Sequence, residues 1–344
     1  MSDLLADKNS CRVTVVIKAL NEEKRIANAI KSSLVAVSQL GGEVILADSF
    51  STDNTVEIAQ AFPVTIVQLA NGKERCCGVG PQLGYQHSIG EYIYILDGDM
   101  EMLPDFLGKA VAFLDTHPEI AGVGGQVVEM NTESLEYISR NERASGHMQA
   151  GQVDRLDMGG LYRRTAVEQT GYFSNKNLHS YEEYDLGVRL TAAGWQLYRL
   201  PIESVNHYGH DAPAYELLTK RWKSGYICGL GEVVRAAFGK PHLHMVLSGV
   251  RELKIYLPTI IWWLLLFGIL LSSLNTIAKL LLFAACLLAP FALMLLKKKN
   301  LAKAVFSVVS WNFNAAGLLR GFLRNQKTPQ DRINSLTIST LTNQ

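Results

Sequence analysis

The sequence has almost no excess of charge of either sign. Its 344 residues carry 33 lysines and arginines against 32 aspartates and glutamates, a formal net charge of +1. No overall field gathers nucleic acid at that balance, so no nucleic-acid partner is expected. Charged residues make up 19% of the chain against 48% hydrophobic ones, the reverse of a disordered composition, and the length suffices for one large domain or two ordinary ones. Cysteine is scarce as well. Cys11, Cys76, Cys77, Cys228 and Cys286 are odd in number, scattered, and free of any CxxC or paired zinc-ligand spacing, which reads as reduced structural thiols. The opening residues, MSDLLADKNSCR, lack the apolar stretch of a signal peptide, so secretion is not expected.

Charge is missing above all from residues 255–296, where Lys279 is the only ionised side chain. Two apolar runs, 255–271 and 280–296, stand out there. At about 1.5 Å per residue each would extend roughly 26 Å as a helix, near the hydrocarbon thickness of a bilayer once flanking residues are added. Buried core helices are the alternative. A run such as IIWWLLLFGILL is apolar on every face, which favours membrane insertion. Arg251 and Lys254 precede the first run and Lys297, Lys298 and Lys299 follow the second, so positive-inside counting puts both outer ends in the cytoplasm. In residues 301–323 the apolar pattern is broken by Lys303, Asn312, Asn314 and Arg320, as in an amphipathic helix of the membrane interface, and a third membrane segment stays open. From residue 325 onward a polar tail is expected. The organisation expected is a cytosolic domain over 1–250, a transmembrane hairpin over 251–299, and an amphipathic or third membrane segment with the tail over 300–344.

The part before the apolar runs alternates strands and helices. Residues 12–18 (RVTVVIK), 43–47 (EVILA), 64–68 and 92–96 (YIYIL) predict strands, and 22–34, 53–61 and 80–88 predict helices. This is a βαβ rhythm, and a mostly parallel α/β sheet follows. In such sheets ligands collect beyond the carboxyl ends of the strands.

Four polar segments stand at such places. ALNEE, residues 19–23, follows the first strand, and DSFSTDNT, residues 48–55, follows the second; either alone is compatible with simple helix capping. Asp97-Gly98-Asp99 follows YIYIL. An Asp-Gly pair can form a hairpin turn, but two carboxylates one residue apart at a strand end also suit Mg²⁺ or Mn²⁺ that keeps positions free for phosphate oxygens. The fourth, Tyr181-Glu182-Glu183-Tyr184-Asp185, holds three carboxylates in four residues, denser than helix-dipole capping needs, and one of them could act as a general base.

Taken in order, ALNEE, ADSFSTDNT, IGEYIYILDGDM, GGLYRRTAVEQTGYF and YEEYDLGVRLTAAGW resemble the family two glycosyltransferases of GT-A fold over roughly residues 12–231. The resemblance implies a Rossmann-like, mostly parallel sheet flanked by helices and followed by carboxy-terminal transmembrane helices. It implies that Leu20 and Glu22 lie against the nucleotide and that Asp48 accepts a hydrogen bond from the base. Asp97 would lie near the ribose and the metal, Asp99 would ligate the metal, and His207, or else His210, would approach the diphosphate or metal. Glu183 falls where the family has its catalytic aspartate, with Glu182 as the reserve.

The reaction implied is metal-dependent and inverting. It moves one sugar from a nucleotide-diphospho-sugar to a membrane-associated acceptor, a lipid-linked saccharide or polysaccharide precursor. Arg163, Arg164, Lys220 and Arg221 could screen phosphate, while Lys223 is read as facing lipid headgroups. Leu218 replaces the glutamine of the Gln-x-x-Arg-Trp segment of processive synthases, which favours single transfer. Gly80-Pro81-Gln82-Leu83-Gly84 departs from the Ala-Arg-Asn-x-Gly of relatives and leaves the donor open. A nucleotidyltransferase and a non-catalytic nucleotide-binding membrane scaffold are the rival readings. The first would not be expected to carry YEEYDLGVRL, and the second would be expected to have lost its acidic motifs.

Overall fold

A computed structural model of the protein describes residues 11–132, 146–209 and 213–339. The chain forms two compact units, Met1–Ala212 with Gln326–Gln344, and Pro213–Asn325.

The first unit is built on β1 (Val13–Ala19), β2 (Gly42–Asp48), β3 (Thr65–Leu69) and β4 (Tyr92–Asp97), all parallel in the order β3-β2-β1-β4. Strands buried on both faces need no polar alternation, and β1 (VTVVIKA) is apolar apart from Thr14 and Lys18. Alternation instead sorts the side chains between two cores. Val13, Val15, Ile17, Tyr92, Tyr94 and Leu96 pack on one face with helix α1 (Ile26–Ser38). Val16, Ile93 and Ile95 pack on the other with α3 (Val79–His87). α1 follows the expected period, burying Ile26, Ala29, Ile30 and Val37. Its start is four residues later than periodicity predicts, because Glu22 N–H donates to Thr55 Oγ1 at 2.7 Å and Glu23 N–H to Asp53 Oδ2 at 3.1 Å, holding the 22–25 turn against the neighbouring loop. The helix predicted over 53–61 is shortened to α2 (Thr55–Ala59) for the same reason.

Beyond β4 the pairing is mixed. β5 (Met100–Met102), β6 (Ile120–Glu129), β7 (Gly151–Val153), β8 (Gly160–Arg163) and β9 (Gln196–His207) extend the sheet as β4-β8-β6-β9-β5, with β7 on β9. Helices α4 (Phe106–Thr116), α5 (Arg164–Gln169) and α6 (Glu182–Ala192) flank it. α6 joins the α3 face through Leu186 and Leu190.

The described polar residues after 325 do not form a free tail. β10 (Ser335–Ser339) pairs antiparallel with β3 at the sheet edge, and Gln86 and the backbone of Ile333 exchange hydrogen bonds at 2.9 and 3.4 Å. A short strand, SLTIS, at an edge keeps one side in water, so its composition resembles that of a tail.

The second unit is helical. It holds α7 (Ala214–Ser224), α8 (Gly229–Ala237), α9 (Leu243–Gly249), α10 (Leu253–Leu271), α11 (Thr276–Lys298) and α12 (Leu301–Phe322). Among the described residues, α10 and α11 are long and apolar enough to cross a membrane, and Ile261, Leu264, Phe267, Leu280, Leu281 and Leu288 on them are exposed. The 301–323 segment is the helix α12, which buries Ala304, Val308, Ala315 and Leu318 and packs against α8, α10 and α11. The approach to α8 is close. A Cβ on Gly231 would lie 2.0 Å from Leu318 O, and one on Gly321 would lie 2.0 Å from Cys228 O.

In the first unit the contact of α3 with β1 depends on Gly84, where a Cβ would lie 2.0 Å from Val16 Cγ1. Val16 is β-branched and fully buried, so it cannot swing away. Gly84→Val should destabilise this unit by about 1–3 kcal/mol through overpacking. A thermal unfolding midpoint equal to that of the wild type would show the contact to be slack.

Candidate functional site

Register brings the carboxyl ends of β1, β2 and β4 to one level. Lys18 pairs with Ala47 on one side and Asp97 on the other, and Ala19 pairs with Asp48. The four predicted segments meet around this end of the sheet.

The first two segments interlock. Asn21 N–H donates to Ser51 Oγ at 2.9 Å, and Thr52 N–H donates to Asn21 Oδ1 at 2.8 Å. Asn21 and Phe50 adopt positive φ, 60° and 71°, in these two loops. For Phe50 this left-handed conformation is costly and is held by the loop around it. Asp48 is fully buried and organises that loop: its carboxylate accepts from Phe50 N, Ser51 N, Ser51 Oγ and Gln68 Nε2. Oδ2 takes three of those bonds and Oδ1 one, so Oδ1 keeps room for a further donor. Leu20 is 39% exposed beside it. The Glu22 side chain lies over Gly98, where a Cβ would come within 2.8 Å of Glu22 Cγ.

Asp97 and Asp99 take different partners. Asp97 ends β4 on the face carrying Ile93 and Ile95, and so does Lys18 on its own strand, next to Val16 by parity. Helix α6 starts on that same face. Lys18 Nζ lies 2.9 Å from Asp97 Oδ1, 3.2 Å from Glu183 Oε1 and 3.5 Å from Glu182 Oε1. Tyr181, with φ 66°, is the strained residue that turns the chain into α6 and aims both glutamates at the lysine. Glu182 is buried and Glu183 half-buried, so Glu183 is the more accessible of the two. Burial pushes the Glu183 carboxyl up to about 8; Glu182 adds to the rise and Lys18 opposes it. Lys18 stays charged, because the three carboxylates outweigh the desolvation that would lower its pKa. These four side chains line one pocket, walled by Pro81 and Phe173.

Asp99 belongs to a second cluster. β9 pairs with both β5 and β6, and His207 stands opposite Met100 and Glu129. His207 Nδ1–H donates to Glu129 Oε2 at 2.7 Å, while Nε2 faces Asp99 Oδ2 at 3.5 Å. Burial alone would lower the imidazole pKa, but bonding to Asp99 and Glu129 overrides it and raises it to about 9. Among the described residues, no three or more His, Cys, Asp or Glu side chains converge as a metal cage. Two protein donors, one carboxylate and one imidazole oriented by a second carboxylate, nonetheless suit Mn²⁺ or Mg²⁺ completed by phosphate oxygens. His210, the alternative histidine, lies outside the described residues.

Lys18 and Glu129 were not among the predicted site residues. A lysine interrupting an otherwise apolar strand just before the first loop was the available signal for Lys18; Glu129 shows only as the acidic end of GQVVE. Arg163 and Arg164 are not near these clusters by role. β8 runs antiparallel to β4, so Arg163 pairs with Tyr92 at the amino end of β4, about 17 Å along the strand from Asp97. Arg163 donates to Leu114 O at 2.7 Å and Arg164 to Gly90 O at 2.6 Å, bracing loops at the far end of the sheet.

Comparison with known proteins bears on this arrangement. Residues 14–171 match the model of glycosyl transferase family 2. A putative glycosyltransferase, EpsE, of Bacillus subtilis (strain 168) is 27% identical over 215 residues, covering 60% of this chain and 75% of that protein. Probable glucomannan 4-beta-mannosyltransferase 15 of Arabidopsis thaliana is 26% identical over 156 residues, 42% of this chain but only 28% of the plant protein's length. The mannosyltransferase PcManGT from Pyrobaculum calidifontis, solved in complex with GDP-Man and Mn²⁺, superposes with a TM-score of 0.56 at 18% identity, over 92% of this chain and 89% of that one. The fold is therefore GT-A. Over residues 14–171 the chain is similar to glycosyl transferase family 2, and it is a transferase.

The His207 cluster makes stability depend on pH. Its folded pKa of about 9 exceeds the unfolded value of about 6.5, so its contribution is fully present below about pH 6.5 and is lost as pH rises through about 9. With chelator present, His207→Gln should flatten the fall of the thermal midpoint over that window. An unchanged slope would remove His207 as its source.

Proposed function

We propose that the protein transfers one sugar from a nucleotide-diphospho-sugar to a membrane-associated acceptor, with inversion at the anomeric carbon. The observation that carries this reading is the convergence of Asp97, Lys18 and Glu183 in one pocket at the carboxyl ends of β1 and β4. Leu20, Glu22 and Asp97 contribute the nucleotide side, with Asp48 holding the loop and available to the base.

Glu183 acts as general base. A carboxyl with pKa raised to about 8 is a better proton acceptor than an ordinary glutamate, and its base form grows as pH rises toward that value. The acceptor hydroxyl gives its proton to the Glu183 carboxylate as its oxygen forms the new bond to the anomeric carbon. The bond from that carbon to the diphosphate oxygen breaks on the opposite face, and nucleoside diphosphate leaves. Asp99 and His207 are the residues that would hold Mn²⁺ or Mg²⁺, which when bound neutralises diphosphate charge as a Lewis acid. That PcManGT was solved with GDP-Man and Mn²⁺ supports this choice of donor and metal classes.

The exposed apolar surfaces of α10 and α11 support a bilayer as the surroundings of the helical unit. The lysines at 297–299 and the basic residues at 251 and 254 support cytoplasmic outer ends, and with them a cytoplasmic catalytic unit facing a lipid-linked or polysaccharide-precursor acceptor.

Purified full-length protein with Mn²⁺ or Mg²⁺ should release nucleoside diphosphate from one member of a nucleotide-sugar panel when lipid-linked acceptors are supplied. Release from none of them overturns the reading. Glu183→Gln should keep donor binding and lose about 10²- to 10⁴-fold in kcat; if Glu182→Gln does so instead, the base is its neighbour. Asp99→Asn should abolish metal-dependent turnover. In cell fractions the chain should resist salt extraction from membranes and yield to detergent; release by salt alone would contradict the spanning helices.

A further inference from the structure

We propose that Lys18 is a positioning residue that favours the carboxylate form of Glu183 and aims it at the reacting centre while tying it to Asp97 on the donor side. This rests on the reading of Glu183 as the base. β1 places an ammonium where its two neighbours along the strand, Ile17 and Ala19, are buried and apolar. Such a group is kept only if its charge is used. Its backbone is fixed by pairing on both sides, to Ala47 and to Asp97, so Nζ has little freedom. On α3, Gly80 leaves room for its stem: a Cβ there would lie 3.0 Å from Lys18 Cβ.

Three carboxylates surround this one cation within 3.5 Å. Without it, Asp97, Glu182 and Glu183 would repel one another in a poorly solvated pocket, and Glu183, the more accessible of the two glutamates, would take up a proton or swing outward. The groups facing Glu183 from the packed elements are Lys18 on β1, Asp97 on β4, Tyr162 on β8, Asp157 before β8, Cys77 before α3, and Glu182 on its own helix. Lys18 is the only cation among these six. Its position is a point charge shared three ways, which a guanidinium fork does not reproduce.

The test uses the full-length protein in detergent with the donor found active above. Lys18→Met should lower kcat on the order of 10- to 100-fold, with donor KM within about twofold, and move the rising limb of the kcat–pH profile to higher pH. Lys18→Arg should restore part of the loss. In a Glu183→Gln background Lys18→Met should cost little more, since both act on one group. A kcat within about twofold of wild type, an equal further loss in the Glu183→Gln background, or a raised donor KM at unchanged kcat would each overturn the proposal. Infrared titration of the Glu183 carboxyl, identified by its loss in Glu183→Gln, gives a readout independent of turnover. Lys18→Met should raise that pKa, and an unchanged value sinks the proposal even if Glu183 is the base. Normal turnover by Glu183→Gln would instead sink the base assignment, with the titration still judging Lys18. If Lys18→Met fails to fold, Lys18→Gln takes its place, and an unaltered carboxyl titration and kcat–pH profile in that variant overturns the proposal.

Discussion

The in-register parallel alignment of β1 between β2 and β4 is the constraint on which the rest of the protein depends. It brings Lys18 level with Asp97 and Ala19 level with Asp48, so that four loops open from one end of the sheet. A slip of one residue would carry Lys18 to the opposite face, among Val15, Ile17 and Tyr94, where its ammonium would have no carboxylate. The continuous apolar run of β1 prevents this only together with its neighbours, whose parity sets which core each side chain enters.

From that alignment follow two electrostatic centres rather than one. Asp97 turns toward the face of α3 and α6 and is balanced by Lys18, while Asp99, past the turn at Gly98, joins His207 and Glu129. The division separates the charges: one cluster gathers three carboxylates around Lys18, and the other sets the Asp99 carboxylate beside the His207 imidazole. Both accumulate negative charge that the chain's net +1 conceals.

The helical unit obeys different physics. Its close helix contacts come from Gly231, Gly317 and Gly321, which let backbones meet, and from Trp263 Nε1–H donating to Asn312 Oδ1 at 2.6 Å. The outward surfaces of α10 and α11 are apolar, which marks both helices as candidate membrane spans. Asn312 and Asn314, which interrupt the hydrophobic pattern of α12, bond back to Val308 O at 2.8 Å and Ser310 O at 2.7 Å. Polar residues in that helix are thereby satisfied within the unit, and this softens the contrast between an amphipathic helix and a packed one.

Much of the architecture was legible in the residues themselves. Short β-branched and aromatic runs marked β1, β2 and β4 to within a residue or two, and the nearly uncharged stretch after Ile255 marked two long helices, because period and transfer free energy act locally. Glu182, Glu183, Asp97 and Asp99 were legible as candidates by type and place, and His207 through the family resemblance. What local reasoning did not reach was pairing. Whether a lysine in β1 meets a glutamate 165 positions later depends on register and helix docking, and so does the return of SLTIS to the edge of β3. Composition and periodicity determined the elements and the chemical kinds of side chain at their ends; the tertiary structure alone decided which charges face each other, because Coulomb and hydrogen-bond energies depend on distances that sequence separation does not contain.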